Sequence, residues 1–318
     1  MVRRKRTFRR VPFKKHSQKP SPTFVLLDQF SIEDIDKWSD FKDQYLKYHW
    51  DYYQALAYQR SQIADEINKS LLEAAQGNFL FERWQRALKY KYALKPFSTY
   101  GSLKDPAGGR FNIGDINPAY FSAFPALYIA SDISTARQEL LCQFMGPDNQ
   151  EKAFEFALTN PQSVVNIALS GSLTSVINLK YPEKLKPFVE LIKDFTIPDY
   201  LKKMAKAVGE REPDLIKTVS KLIDSLLNAN WRIWPMQFDV PVASQIFGQL
   251  VAGAGIEGIL YPSKFTGSDC LVIFPQNLEE GSFVQLEDEA PVEIQFRRLD
   301  SSSWVEIQKS ELRNRNVI

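Results

Sequence analysis

Three short runs of this chain carry side chains that could do chemistry. In Gly108-Gly109-Arg110-Phe111-Asn112, with Gly114 just beyond, paired glycines let the backbone approach a ligand closely. Arg110 beside them supplies a planar donor fork suited to phosphate. In Ala126-Leu127-Tyr128-Ile129-Ala130-Ser131, an apolar run leads into a helical stretch that carries Glu139 about two turns in. In Gly258-Ile259-Leu260-Tyr261-Pro262-Ser263, a strand-like run ends in Tyr-Pro-Ser and displays a hydroxyl at its tip. Each run also has an ordinary reading: a turn with a solvated arginine, a solvent-facing helical glutamate, a turn serine. The combination is what stands out, a guanidinium, a carboxylate and a hydroxyl spread between positions 110 and 263.

The elements that must position these groups are partly legible. Residues 31–76 contain no proline, and Trp38, Phe41, Tyr45 and Tyr52, then Ile63, Ile67 and Leu71, fall near helical spacing. From about residue 77 the texture changes to glycines and short β-type runs. The pattern predicts strands at Ala126–Ala130, Phe154–Leu158, Ser163–Leu169, Gly258–Tyr261, Cys270–Phe274 and Glu293–Leu299. Helices alternate with them irregularly, which points to an α+β core rather than a regular βαβ array. Within it, Leu215, Ile216, Val219, Leu222, Ile223, Leu226 and Leu227 mark one apolar helix face, so residues 182–228 read as a helical insertion. The expected organisation is a basic disordered arm at 1–23, a helical extension at 24–76, and a catalytic domain at 77–318 holding the insertion.

Composition narrows the function classes. The chain has 318 residues, 44% of them hydrophobic, which is enough for a sizeable core. Residues 1–19 hold nine of the 40 Lys and Arg and no acid, leaving 31 basic against 38 acidic residues elsewhere. Such an arm could bind nucleic acid through phosphates, or be only a solvated tail. Two distant cysteines, Cys142 and Cys270, and two histidines, His16 and His49, support no disulfide framework, zinc site or histidine-based triad. No apolar run approaches the ~20 residues of a membrane span, and none suits a secretory signal, so a cytoplasmic setting without membrane contact is expected. Gly253-Ala254-Gly255-Ile256-Glu257-Gly258 has the letters of a dinucleotide fingerprint in the wrong context, with a helical run before it and an extended run after it.

In order and spacing, GGRFN, then ALYIAS running into TARQEL, then SQIFG, GIEGILYPS and LVIFP resemble the RES-domain family over roughly residues 80–280, minus the insertion. The resemblance implies an ADP-ribosyltransferase-like mixed α/β core that takes NAD as its substrate. It also implies a toxin that depletes NAD by phosphorolysis or hydrolysis, without a metal, and that a cognate antitoxin neutralises. Carried over residue by residue, the catalytic set becomes Arg110, Tyr128, Glu139 and Ser263, and Asn277 falls where some members place a further polar residue. Upstream the family often has Arg-Tyr-Gly. The nearest match here is Lys91-Tyr92-Ala93, and lysine lacks arginine's bidentate fork. Arg86 is therefore a candidate for part of that cofactor-side role, beside Lys91 and Tyr92.

The chemistry suits these groups. Cleaving a ribose–nicotinamide bond releases a neutral ring and leaves an oxocarbenium-like sugar. A carboxylate can stabilise the cation, and a guanidinium can grip the diphosphate or an inorganic phosphate co-substrate. Tyr128 could stack on the ring and Ser263 could orient a phosphate or the ribose. Two other function classes remain open at this point. One is an ADP-ribosyltransferase acting on protein or nucleic acid, and the other a nucleic-acid-binding or scaffold module. The helical segments could also serve self-association into a homo-oligomer.

Overall fold

The computed structural model describes residues 32–141, 164–211, 215–287 and 289–313. The basic arm and the expected strand Phe154–Leu158 lie outside the described residues. The chain divides into two compact units, Met1–Tyr45 and Leu46–Ile318. In the first, Phe41 and Tyr45 stack with ring centroids 5.9 Å apart, one helical turn from each other. The second unit holds the sheet and the three runs singled out above.

Two helices come first, α1 (Ile32–Gln62) and α2 (Ala64–Ala74). In α2, Ile67, Ser70, Leu71 and Ala74 are buried, the spacing of a single helix face. Then follow β1 (Phe79–Lys89), α3 (Tyr100–Lys104), β2 (Leu127–Ala130), α4 (Ile133–Leu141), β3 (Val164–Leu173) and β4 (Val176–Asn178). The segment from 182 to 228 carries helices joined by turns, and no strand, where it is described. It contains a short 3-10 turn, then α5 (Lys186–Ile192), α6 (Asp199–Ala207) and α7 (Val219–Leu226). After it come α8 (Ile233–Phe238), α9 (Ala243–Gly253), β5 (Gly258–Pro262), β6 (Asp269–Ile273), β7 (Phe283–Leu286), β8 (Arg298–Leu299) and α10 (Ser301–Arg313).

The strands form one eight-stranded sheet in the order β4-β5-β6-β2-β1-β3-β7-β8. Only β4 and β5 run parallel; every other neighbouring pair is antiparallel. The architecture is α+β, as the irregular alternation of runs suggested. Side-chain alternation assigns the two faces. Ala130, Ile259, Tyr261, Cys270 and Val272 enter one core with residues of α2, α5, α7 and α9. Leu127, Ile129, Leu260, Leu271 and Ile273 enter the other, with Trp304 and Ile307 of α10. The glycine-rich run between α9 and β5 ends a helix and starts a strand, with Gly255 at φ +82°, so it cannot present a helix N-terminus to a pyrophosphate.

The strand pattern departs from expectation in three places. The longest strand, β1, was not foreseen, because a bulge between Phe81 and Trp84 with Arg83 at φ +53° breaks its alternation. The three-residue β4 and four-residue β7 were also missed. Of the run Glu293–Leu299, only Arg298 and Leu299 pair, against β7.

Candidate active site

Two motif segments meet through β2. Tyr128 lies on the face of the sheet that carries the larger core, and its hydroxyl donates to Asn112 Oδ1 at 2.8 Å. The same hydroxyl accepts from the backbone N–H of Phe111 at 3.1 Å. Asn112 is wholly buried and donates to the carbonyls of Ser102, Ile113 and Phe124. Gln245 of α9, also wholly buried, donates to the carbonyls of Ala107, Gly109 and Asn112. A side chain with both donor and acceptor ends can satisfy several loop carbonyls at once, which a buried loop requires. Gly108 sits at φ +65°, and a Cβ on Gly109 would collide with the Tyr128 hydroxyl and Asn112 Oδ1. The glycine pair is thus dictated by this tight closure.

The loop delivers Arg110 to a fixed place. Its Nη1 donates to the carbonyl of Asn228 at 2.9 Å and to that of Leu226 at 3.3 Å. These are carbonyls at and beyond the end of α7, which a cation complements well. The guanidinium also lies 5.8 Å from the ring centre of Trp231, and Arg232 lies 4.5 Å from the same ring.

The carboxylate arrives on α4. Asp132 caps that helix, its Oδ1 accepting from the N–H of Thr135 at 2.8 Å. Burial pushes the Asp132 carboxyl up, but hydrogen bonds from Thr135, Ser268 and Ser134 outweigh it and hold the group below the usual carboxylate range. Thr135 and Glu139 are four residues apart and share a face. Thr135 bonds Thr266 through their hydroxyls at 2.8 Å, and Ser263 Oγ donates to Glu139 Oε1 at 2.7 Å. The helix is therefore stitched twice to the turn that follows β5.

Gly109, Arg110, Tyr128 and Glu139 line one cavity of about 130 Å³, together with Gln85, Trp231, Arg232, Tyr261, Lys264 and Cys270. Its charges are unequal: Arg110, Arg232 and Lys264 face one lining carboxylate, Glu139. Arg232 also pairs with Asp105 at 3.4 Å, and Lys264 donates to the carbonyl of Ala229 at 3.0 Å. Burial pushes the hydroxyls of Tyr128 and Tyr261 and the thiol of Cys270 well up, so all three stay protonated at neutral pH. Among the described residues, no group of three or more His, Cys, Asp or Glu could hold a metal ion.

Placement refines four other expectations. Ser263 is 4% exposed and is absent from the cavity lining; its hydroxyl donates to Glu139 Oε1 and accepts from the N–H of Phe265. Arg86 alternates away from the cavity, because Gln85 and Ala87 on either side of it take the cavity face. Its Nη2 donates to the carbonyl of Ser98 at 2.6 Å. Lys91 and Tyr92 lie in a 3-10 turn outside the lining, the ammonium 4.9 Å from the Tyr92 ring centre. Asn277 donates to the carbonyls of Ala252 and Ile256, closing the end of α9, and does not line the cavity either. In the other direction, sequence reasoning missed Arg232 and Lys264. Lys264 follows Ser263 directly, a signal that was there to read; Arg232 had none, because its partner Asp105 is 127 positions away.

The fold and cavity define an α+β protein with a cationic pocket built around a single positioned carboxylate. The chain belongs to the RES domain family, whose model matches residues 83–292. Among solved structures it is similar to a chain of the crystal structure of the M. tuberculosis MbcT–MbcA toxin–antitoxin complex, at 15% identity and a TM-score of 0.40, covering 77% of this chain and 97% of that one. No curated protein sequence matches it. No helix among the described residues is long and apolar enough to cross a membrane.

Proposed function

We propose that this protein is a toxin that cleaves the nicotinamide–ribose bond of NAD in the cytoplasm and is held in check by a cognate antitoxin that covers the cavity. The observation that carries the reading is the pairing of Glu139, fixed by Ser263 at 2.7 Å, with three cations around the same cavity. Membership of the RES domain family supports it.

The chemistry follows from charge. The cavity has room for about one ring-sized group, so the nicotinamide ring enters first, with its ribose at the mouth and the adenylate outside. The Tyr128 ring forms part of the wall against which that group packs. Arg110 and Arg232 hold the diphosphate, with Lys264 adding a third positive charge. As the C1′–N bond breaks, its electron pair goes to the ring, and nicotinamide leaves neutral. Glu139 stabilises the positive charge that builds on the ribose. An inorganic phosphate oxygen, or a water that then loses its proton, bonds to C1′. The products are ADP-ribose carrying an anomeric phosphate, or ADP-ribose itself. Ser263 is given no nucleophilic role, because it does not line the cavity, and a glycoside bond to its Oγ would take away the hydroxyl that holds Glu139.

The experiment is NAD turnover by the purified protein, with and without phosphate, with products separated. Release of nicotinamide without added metal is the expected result. Intact NAD under both conditions overturns the reading. Label from NAD appearing on a macromolecule would instead make the protein an ADP-ribosyltransferase.

A further inference from the structure

A second cavity, larger than the one beside Glu139, lies elsewhere among the described residues. A space of about 280 Å³ lies between the second half of α1 and helices α5, α7 and α9. Ile192 of α5, Leu222 of α7, and Ile246 and Leu250 of α9 give it apolar walls. The wall from α1 differs. His49, Tyr52, Tyr53 and Arg60 recur at the spacing of one helix face and bring polar groups to a mostly apolar lining.

Among the described residues no Asp or Glu lines the cavity; Glu210 acts on His49 from outside the lining. His49 is 4% exposed, and burial pushes its pKa down to about 4, so it is neutral at pH 7. Arg60 is left as the one lining cation. Its contacts are the Tyr53 phenol, by hydrogen bond, and the Tyr53 ring, 5.7 Å from the guanidinium. Among the described residues no carboxylate pairs with it. A partly buried guanidinium beside apolar walls, with a phenol rather than a carboxylate as its described partner, is complemented by a ligand with one negative head and a hydrocarbon body. The volume is just under the ~300 Å³ at which small-molecule pockets begin, so the ligand must be small. A nucleotide suits it poorly, because several phosphates would face a single cation.

We propose that this cavity binds a small amphipathic carboxylate, an aliphatic chain of medium length whose head pairs with Arg60. The site is separate from the NAD reading but shares its scaffold. Asn228 lines the cavity while its carbonyl accepts from Arg110 Nη1 at 2.9 Å. Helix α9 presents Ile246 and Leu250 to the cavity while its Gln245 holds the Arg110 loop.

The test is calorimetric titration of the full chain with octanoate, with octanol and octylamine as probes of the head group and the thermal midpoint read in parallel. Saturable octanoate binding with a midpoint raised by several degrees is expected. Octanol should bind more weakly and octylamine not at all. Arg60→Gln should weaken octanoate by about tenfold or more and leave octanol unchanged. Arg60→Lys, which keeps the charge should Arg60→Gln fail to fold, should stay within a few-fold of wild type. Absence of saturable octanoate binding to the folded wild type overturns the proposal. So does equal affinity for octanoate and octanol, or octanoate binding that Arg60→Gln leaves unchanged in a folded protein.

Discussion

Ser263→Ala is the most informative single change, because the structure gives its hydroxyl one important job. Its Oγ donates to Glu139 Oε1 at 2.7 Å, and it is not part of the cavity wall. A hydrogen bond to a charged group is worth about 1.5–3 kcal/mol. If that bond fixes the carboxylate where charge develops on the ribose, removing it costs roughly 10- to 100-fold in kcat/KM. Glu139→Gln, which removes the charge itself, should cost about 3–4 kcal/mol, on the order of 10²–10³ in rate. The two effects should not add. With Glu139 already replaced, Ser263 has no carboxylate to position, so the double variant should fall within about 0.5 kcal/mol of Glu139→Gln alone. The assay is initial-rate release of nicotinamide from NAD, with thermal midpoints taken as a check, since Ser263 Oγ also accepts from the N–H of Phe265. Full additivity would mean that Ser263 touches substrate independently. An unchanged rate in Ser263→Ala would mean that the bond does not matter, and the positioning argument would fail.

Other outcomes follow from the same geometry. Arg232→Ala should raise KM for NAD about tenfold and leave kcat close to wild type, because a phosphate contact made equally in ground and transition states alters binding alone; a loss confined to kcat would refute it. Arg110→Ala should lose activity and also stability, by about 1–3 kcal/mol in denaturant unfolding, because the carbonyls of Leu226 and Asn228 lose their donor. Gly109→Ala should abolish turnover, as its methyl would displace the Tyr128 hydroxyl from Asn112; wild-type rates would show that the loop is softer than its contacts indicate. His49 has a folded pKa near 4 against an ordinary 6.5, so above pH 6.5 its contribution is fully present, and stability falls as the pH drops from 6.5 towards 4, by up to about 3 kcal/mol. His49→Phe should flatten that part of the profile, read as thermal midpoint against pH.

The parts of the site that were legible in sequence are those where chemistry and backbone demand coincide within a few residues. Gly109 and Arg110 announce a tight loop with a guanidinium, and the structure shows why both are needed together: the glycine lets the Tyr128 hydroxyl close on the loop, and the closure aims the arginine. Glu139 was legible as a residue but not as a neighbour of Ser263, because that contact spans 124 positions and depends on the cap at Asp132 and the Thr135–Thr266 bond. Strand β1 was obscured by its own bulge, which shifts the alternation midway and leaves a run that reads as neither strand nor helix. The direction in which Arg86 points was hidden for the same reason. Without the strand, nothing in the sequence says that Gln85 and Ala87 take the cavity face and Arg86 the other.

The helical segment from 182 to 228 looked like an addition to the core, yet the end of α7 supplies the carbonyls on which Arg110 rests. Arg110 is held at the helix terminus while Glu139 is held by Ser263, and both line one cavity of about 130 Å³. In the proposed reaction that gives phosphate and sugar separate charged partners. The separation of charge depends on an element that lies outside the motif residues, so shortening α7 should weaken catalysis even though no motif residue is touched.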